Sequence, residues 1–203
     1  MWGQALPILL GFFLTTIVGG LFASLLQQRS WQHQNEVRLH EADLSRASDV
    51  CRSLSALVDK RWYRMQRLLW ATLAYSKGRL GRDVLDGRLQ DYDQVLIEWN
   101  DELNARLAIV GAYFGRDLRD FLDQVVYEAF KDAGQRLESL YRVAAEGQND
   151  LDPADVTAAT TKLEALNNQA YQLSFTMMVR LREGRVGRRA PGMLGETPLR
   201  DDR

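Results

Sequence analysis

The sequence predicts an all-α protein with a single N-terminal transmembrane helix followed by a four-helix bundle built on one long first helix. Residues 5–26 form an apolar stretch without a charge, and at about 1.5 Å per residue a helix of this length crosses the roughly 30 Å hydrocarbon core of a bilayer. No proline lies between Pro7 and Pro153. Beyond residue 45, apolar residues recur three and four positions apart, which is typical of amphipathic helices.

The apolar stretch is predicted to be an uncleaved anchor. A secretory signal has a basic start and a short apolar core of about 7 to 15 residues, whereas residues 1–4 carry no Lys or Arg and the run here is longer. Six large apolar side chains represent the predicted span: Leu6, Leu10, Phe13, Ile17, Phe22 and Leu26.

The orientation of the span is predicted from the basic residues that flank it. Arg29, Arg38 and Arg46 follow the apolar stretch, and no Lys or Arg precedes it. Because Lys and Arg near a span favour the cytoplasmic side, we expect the N-terminus outside and the bundle in the cytoplasm. The single cysteine, Cys51, cannot form an internal disulfide, which fits this side without excluding the other.

Residues 28–45 are predicted to form a polar helical stalk. Between residues 27 and 41 only Trp31, Val37 and Leu39 are large and apolar. A lone polar helix is marginal in water, so we expect self-association or contact with another membrane protein here. His33, Glu36 and His40 share one helical face, which suggests either a metal site or a solvated surface. A repeated Glu-x-x-His pattern, the metal motif of bundles, does not occur, which favours the solvated surface.

Four helices are predicted after the span. The first runs from about residue 30 to 79, the second from 89 to 110, the third from 116 to 145 and the fourth from 153 to about 183. Asp152 and Pro153 give the clearest start signal, since Asp is a favoured cap and Pro fits the first helical turn. Trp99 is central in the apolar stripe of the second helix, and Cys51 lies on the apolar side of the first.

These assignments divide the chain into four segments. They are a transmembrane anchor at 1–27, the stalk at 28–45, the helical bundle at 46–184 and a basic tail at 185–203, which we expect to be disordered. Short loops between the helices favour an up-down-up-down bundle.

Two groups of cations are candidate contacts for an anionic partner. Lys60, Arg64 and Arg67 fall on one face of the first helix, and aromatic residues alternate with them. They suggest either an anionic partner or ion pairs with neighbouring helices, and the sequence favours ion pairs. The second group, at the end of the fourth helix, comprises Arg182, Arg185, Arg188 and Arg189. It suggests either contact with an anionic lipid surface or a solvated tail, and both alternatives remain open.

Composition and motifs argue against several classes of function. The net charge is −1 with a pI near 6.2, which does not favour nucleic-acid binding. No phosphate loop, dinucleotide fingerprint or catalytic triad pattern occurs. We therefore expect no enzyme activity and no catalytic, cofactor or metal site.

The sequence favours a membrane-anchored helical interaction or scaffold module, a subunit of a membrane-associated assembly whose partners are the bilayer and other protein copies. The alternative is a signalling or stress effector that acts through its membrane span.

Overall fold

The computed structural model describes the backbone of residues 5–147 and 151–190, and the side chains of residues 24, 27–147 and 151–190. The described part is all-α, without a strand among its residues, and the chain divides into two units, 1–42 and 43–203. The elements are α1 (Ala5–Ser76), α2 (Arg82–Phe114), α3 (Arg116–Phe121), a π-helical segment (Leu122–Tyr127), α4 (Glu128–Ala145), α5 (Pro153–Arg182) and a 3₁₀ turn (Gly187–Arg189).

In the first unit, the backbone of residues 5–42 is helical. Within the part of the chain that the structure describes, no helix is both long and apolar enough to cross a membrane. The side chains predicted to form the span lie outside the described residues: Leu6, Leu10, Phe13, Ile17, Phe22 and Leu26. In the predicted stalk, Trp31 is 72% exposed and Val37 is 43% exposed.

In the second unit, α2 runs antiparallel to α1. Lys60 Nζ lies 2.5 Å from Glu98 Oε2, and Arg64 Nη1 lies 2.8 Å from Asp91 Oδ2. Residue numbers therefore rise along α1 as they fall along α2, which is the antiparallel order expected after the short loop at 77–81.

The last helix closes the bundle against the first. Trp62 Nε1 donates to the Leu163 carbonyl at 3.1 Å, and the hydroxyls of Ser55 and Ser174 lie 2.9 Å apart. These pairs make α5 antiparallel to α1 as well. With α3 and α4 between α2 and α5, the order is the predicted up-down-up-down arrangement of a four-helix bundle.

The start of α5 follows the sequence prediction. Asp152 caps the helix, because its Oδ1 accepts a hydrogen bond from the Ala154 backbone N–H at 2.8 Å, and Pro153 occupies the first helical turn. The start of α2 differs: the helix begins at Arg82 and passes through Gly87, which lies on an open face with no atom near its missing Cβ. A glycine that faces solvent weakens the helix without ending it.

The third long helix contains a π turn that the sequence does not predict. A regular helix would direct Val125 and Ala129 inward, as expected from the period of 3.6 residues, but both are only partly buried. The buried positions are Leu118, Leu122, Val126 and Phe130, each four residues after the last. The wider π turn at 122–127 accommodates this spacing. It places one more residue between the two halves of the helix than a regular helix would need.

The ordered chain extends into the predicted tail. Val186 and Ala190 are buried, and the Arg188 backbone N–H donates to Asp43 Oδ2 at 3.3 Å. Gly187 has φ = +57°, and a Cβ there would collide with the Asp43 carboxylate. Residues 186–190 therefore pack on the bundle beside the point where α1 enters it, and residues 191–203 lie outside the described part.

We expect residues 43–203 to fold without the preceding segment. Every buried residue in the described part lies at position 47 or later, so the core needs nothing from residues 1–42. A fragment of residues 43–203 should show a cooperative thermal transition and strongly helical circular dichroism. A gradual melt, or a substantial strand contribution to the spectrum, would contradict this prediction.

Deleting one residue from the π turn should be tolerated. Removing the exposed Gln124 places Phe130 eleven positions after Leu118 instead of twelve, which is close to three regular helical turns. The core positions therefore stay in phase, and we expect the melting transition of the fragment to remain cooperative.

The matched control is deletion of Gln135, an exposed glutamine in the regular helix α4. This deletion rotates the residues that follow by about 100° and removes Leu137, Leu140 and Ala144 from the core. We expect the cooperative transition to be lost. Equal damage from the two deletions would show that the π turn does not absorb an inserted residue.

Candidate functional site

The centre of the bundle holds a buried arginine. Arg61, on α1, is 2% exposed. Its guanidinium carbon lies 4.4 Å from the ring centroid of Phe130 and 5.1 Å from that of Trp99. The two rings are 5.3 Å apart and tilted by 47°. The cation therefore contacts two aromatic rings, which come from α2 and α4.

None of the salt bridges in the described part joins Arg61 to a carboxylate. No hydrogen-bond acceptor in the structure pairs with its Nε or Nη1, and the indole Nε1 of Trp99 is likewise without a partner. Burial lowers the pKa of Arg61, while the hydroxyls of Tyr92 and Tyr127 act in the opposite direction. Arginine starts so far above neutrality that the group stays charged.

Tyr92 shares this buried layer. Its side chain is 1% exposed. Burial raises the pKa of its hydroxyl, whereas the positive charge of Arg61 acts to lower that pKa. Gly134 lets the ring approach α4, because a Cβ at that position would lie 2.6 Å from the Tyr92 hydroxyl oxygen. An aromatic layer of this size therefore depends on a glycine on the facing helix.

The chemistry of this layer is that of a buried cation among π faces. Attraction between a guanidinium and an aromatic face reaches about 2 kcal/mol when the pair is desolvated, but removing an arginine from water costs several kcal/mol. The layer contains no nucleophile paired with a base. Within the described residues, no cluster of three or more His, Cys, Asp or Glu could hold a metal ion.

Cys51 lies in the core, as the sequence predicts. It is 4% exposed, and burial raises the pKa of its thiol. A thiol with a raised pKa is a poor nucleophile at neutral pH, so Cys51 acts as a small apolar core residue.

Two of the three predicted cations on α1 form ion pairs within the bundle. Lys60 pairs with Glu98, and Arg64 pairs with Asp91, which Arg88 also contacts at 3.1 Å. These pairs join α1 to α2. The contacts agree with the ion-pair interpretation of this group and leave the anionic-partner prediction without support from geometry.

Arg67, the third cation on α1, stacks on an aromatic ring. Its guanidinium carbon lies 5.7 Å from the ring of Tyr63, which is 47% exposed.

The second group of cations is exposed at the end of the bundle where α1 enters. Arg182, Arg185, Arg188 and Arg189 are exposed to solvent. Among the described residues, only Arg185 of these four forms a side-chain salt bridge, to Glu183 at 3.5 Å. The backbone of this group is fixed by the packing of residues 186–190. It thus forms an ordered basic surface, which we call the basic end.

Arg180, near this surface, has a structural role instead. It donates to the Phe114 carbonyl and to the carboxylate of Asp117, at the corner where α2 ends and α3 begins. Gly115 turns this corner with φ = +95°. The hydrogen bonds from Arg180 lower the pKa of Asp117 and satisfy a carbonyl at the end of α2.

An exposed apolar face on α5 was not recognised from the sequence. Tyr171, Phe175 and Met178 are 67%, 56% and 58% exposed, and the rings of Tyr171 and Phe175 stack 6.0 Å apart. The helical period predicted from the sequence is that of the stripe that faces the core. A second stripe with its own spacing of four and three residues was the signal that could have revealed this face.

Comparisons with known proteins add no relative: no protein-family model, no curated protein and no solved structure matches this chain.

The buried charge of Arg61 should not be required for stability. Replacing Arg61 with Met keeps an apolar stem of similar length and removes the cost of burying a cation. Such replacements are often neutral or stabilising by about 1 to 4 kcal/mol. We expect Arg61→Met to be at least as stable as the parent in chemical denaturation of the 43–203 fragment.

Arg61→Ala serves as the control, because it removes both the charge and the stem. We expect it to be less stable than Arg61→Met by roughly 2 to 5 kcal/mol, the usual cost of the cavity left by a long buried side chain. If Arg61→Met instead lost more than about 1 kcal/mol, the cation itself would be a net stabilising contact with the rings of Trp99 and Phe130.

The basic end should bind anionic lipid. Each arginine near an anionic leaflet contributes about 1 kcal/mol. We expect the 43–203 fragment to sediment with phosphatidylserine vesicles at low salt, and replacement of Arg185, Arg188 and Arg189 with Gln to abolish this binding. Substitution is preferable to truncation after Glu183, because truncation would also remove the buried Val186 and Ala190.

The matched control replaces Lys77, Arg79 and Arg142 with Gln. These residues are exposed, and none belongs to the basic end. Both triple variants change the net charge equally, so similar losses in the two would indicate a general charge effect and refute a specific lipid contact.

Proposed function

We propose that this protein is a membrane-anchored helical interaction module that serves as a subunit of a membrane-associated assembly. The observation that carries the proposal is the charge-free apolar stretch at 5–26, which is long enough for a helix to cross a bilayer. A fold of packed helices with a core of its own, and without a recognisable reactive site in its described part, is suited to binding partners.

Two features of the bundle support an interaction role. Large exposed apolar patches often mark interaction sites, and α5 carries Tyr171, Phe175 and Met178 on one exposed face. In the predicted stalk, Trp31 and Val37 are also exposed. Exposed apolar side chains on two separate stretches favour contacts with other protein copies or with another membrane protein.

The membrane anchor and its orientation can be tested together. We expect the full-length protein to remain in the membrane fraction after washing with alkaline carbonate, and a variant that lacks residues 1–27 to be released. A C-terminal reporter that is active only in the cytoplasm should give a signal, because the flanking arginines favour that side. Release of the full-length protein by carbonate would refute the anchor. A reporter signal from the opposite side would refute only the orientation.

A signalling or stress effector is the second candidate. It is favoured by the continuity of α1, since one helix contains the predicted span and the core residue Arg61. Under this proposal, a change in the bundle alters the span. Overproduction should then permeabilise cells only when residues 5–26 are intact. If the protein is present in the membrane in amounts sufficient to capture partners and the cells are still not permeabilised, the interaction module is favoured.

A further inference from the structure

The exposed face of α5 has the spacing of a coiled-coil seam. Its members alternate at intervals of four and three residues, and each is exposed: Glu164, Asn168, Tyr171, Phe175, Met178 and Arg182. This is the repeat with which a helix presents one continuous stripe to another helix. The buried positions of α5, from Ala159 to Met177, follow the same intervals and are covered by the bundle. The helix thus has a second stripe of the same kind that is uncovered.

The residues of this second stripe are spaced symmetrically about its centre. Tyr171 and Phe175 flank residue 173, Glu164 lies nine residues before it and Arg182 nine residues after. Neither Glu164 nor Arg182 has a salt-bridge partner among the described residues. The stripe therefore has an aromatic centre, an acid at one end and a base at the other.

The geometry points to a second copy of this chain as the occupant, with the two α5 helices packed antiparallel. A two-fold axis at residue 173 places Tyr171 of each copy opposite Phe175 of the other and Asn168 opposite Met178. It also places Glu164 opposite Arg182 at both ends. A parallel arrangement would put Glu164 against Glu164 and Arg182 against Arg182, and like charges that face each other oppose pairing.

The expected contact is a weak one. The stripe covers nineteen residues from Glu164 to Arg182, or about 27 Å of helix. One helix pair of that length falls at the small end of protein interfaces, where association is transient. Interfaces of this size depend on a few aromatic anchors, and Phe175 and Tyr171 are the candidates here.

This inference rests on the proposed interaction function and names one partner and its orientation. Because α1 is antiparallel to α5 in each bundle, α1 enters the two bundles from opposite ends of such a pair. The contact therefore suits copies anchored in two apposed membranes. Its test uses the full-length chain purified in mild detergent, so that failure of the α5 contact would not affect the fractionation test of the membrane anchor. Contacts through the predicted stalk would also raise the molecular mass, and a reporter specific to α5 is therefore needed.

Cysteine cross-linking provides that reporter. In a Cys51→Ala background, one preparation carries Asn168→Cys and another carries Met178→Cys. The antiparallel arrangement predicts a disulfide-linked dimer when the two preparations are mixed and oxidised, and far less in either one alone. A strong cross-link in the Asn168→Cys preparation alone would indicate parallel helices and overturn the proposal. No cross-link in the mixture would overturn it as well.

Charge reversal tests the pairing at the two ends. Copies with Glu164→Arg repel each other at residue 182, and copies with Arg182→Glu repel each other at residue 164. A copy with Glu164→Arg and a copy with Arg182→Glu present opposite charges to each other at both ends. With each reversal placed in one of the two cysteine preparations, we expect cross-linking to persist. Placing the same reversal in both preparations should lower the yield several-fold. Equal yields in all combinations would overturn the charge pairing and with it the proposed orientation.

An exposed apolar residue on another helix gives the control for the aromatic centre. We expect Phe175→Ser to abolish the cross-link, whereas Ile97→Ser should leave the yield unchanged, because Ile97 is 60% exposed on α2, away from the stripe. Circular dichroism of the two variants should be the same as that of the parent. A loss of the cross-link in both variants, or in neither, would overturn the proposal.

Discussion

The packing of the bundle depends on how a charged guanidinium is accommodated at its centre. Arg61 extends from α1 between Trp99 of α2 and Phe130 of α4, with no carboxylate beside it. Two helices, α2 and α4, must therefore supply large aromatic surfaces at one level of the core. The facing helix has Gly134 where the ring of Tyr92 approaches, and the π turn brings Phe130 into the core. A smaller apolar side chain at position 61 would need none of these adjustments.

Some of the fold could be predicted from the sequence because its causes are local. The cap at Asp152 and the burial of Trp99 and Cys51 follow from one residue or from a regular helical period. The π turn could not be predicted in this way, because the preference for it comes from contacts of Phe130 with residues far along the chain. The same holds for Arg61: its position near the apolar stripe of α1 does not show whether a long side chain reaches solvent or the core.

The candidate contacts also differ in how far the sequence predicts them. The helical period predicts that Lys60 and Arg64 share one face. Their partners Glu98 and Asp91 are on another helix, and only the fold brings these residues together. The exposed stripe of α5 was visible in the sequence as a second repeat on the same helix. Which of two apolar stripes a bundle covers depends on the neighbouring helices, so periodicity alone does not tell core from interface.

The π turn also bears on how homologous sequences would be aligned. A regular helix could replace it after the loss of one residue between Leu122 and Phe130, with the core unchanged on both sides. Homologues could therefore differ in length inside a helix, where insertions and deletions are otherwise rarely placed. An alignment that forbids a gap there would shift α4 and α5 of one sequence by one position relative to the other. Each core residue would then be paired with the residue next to its true counterpart, and real similarity would be scored as chance.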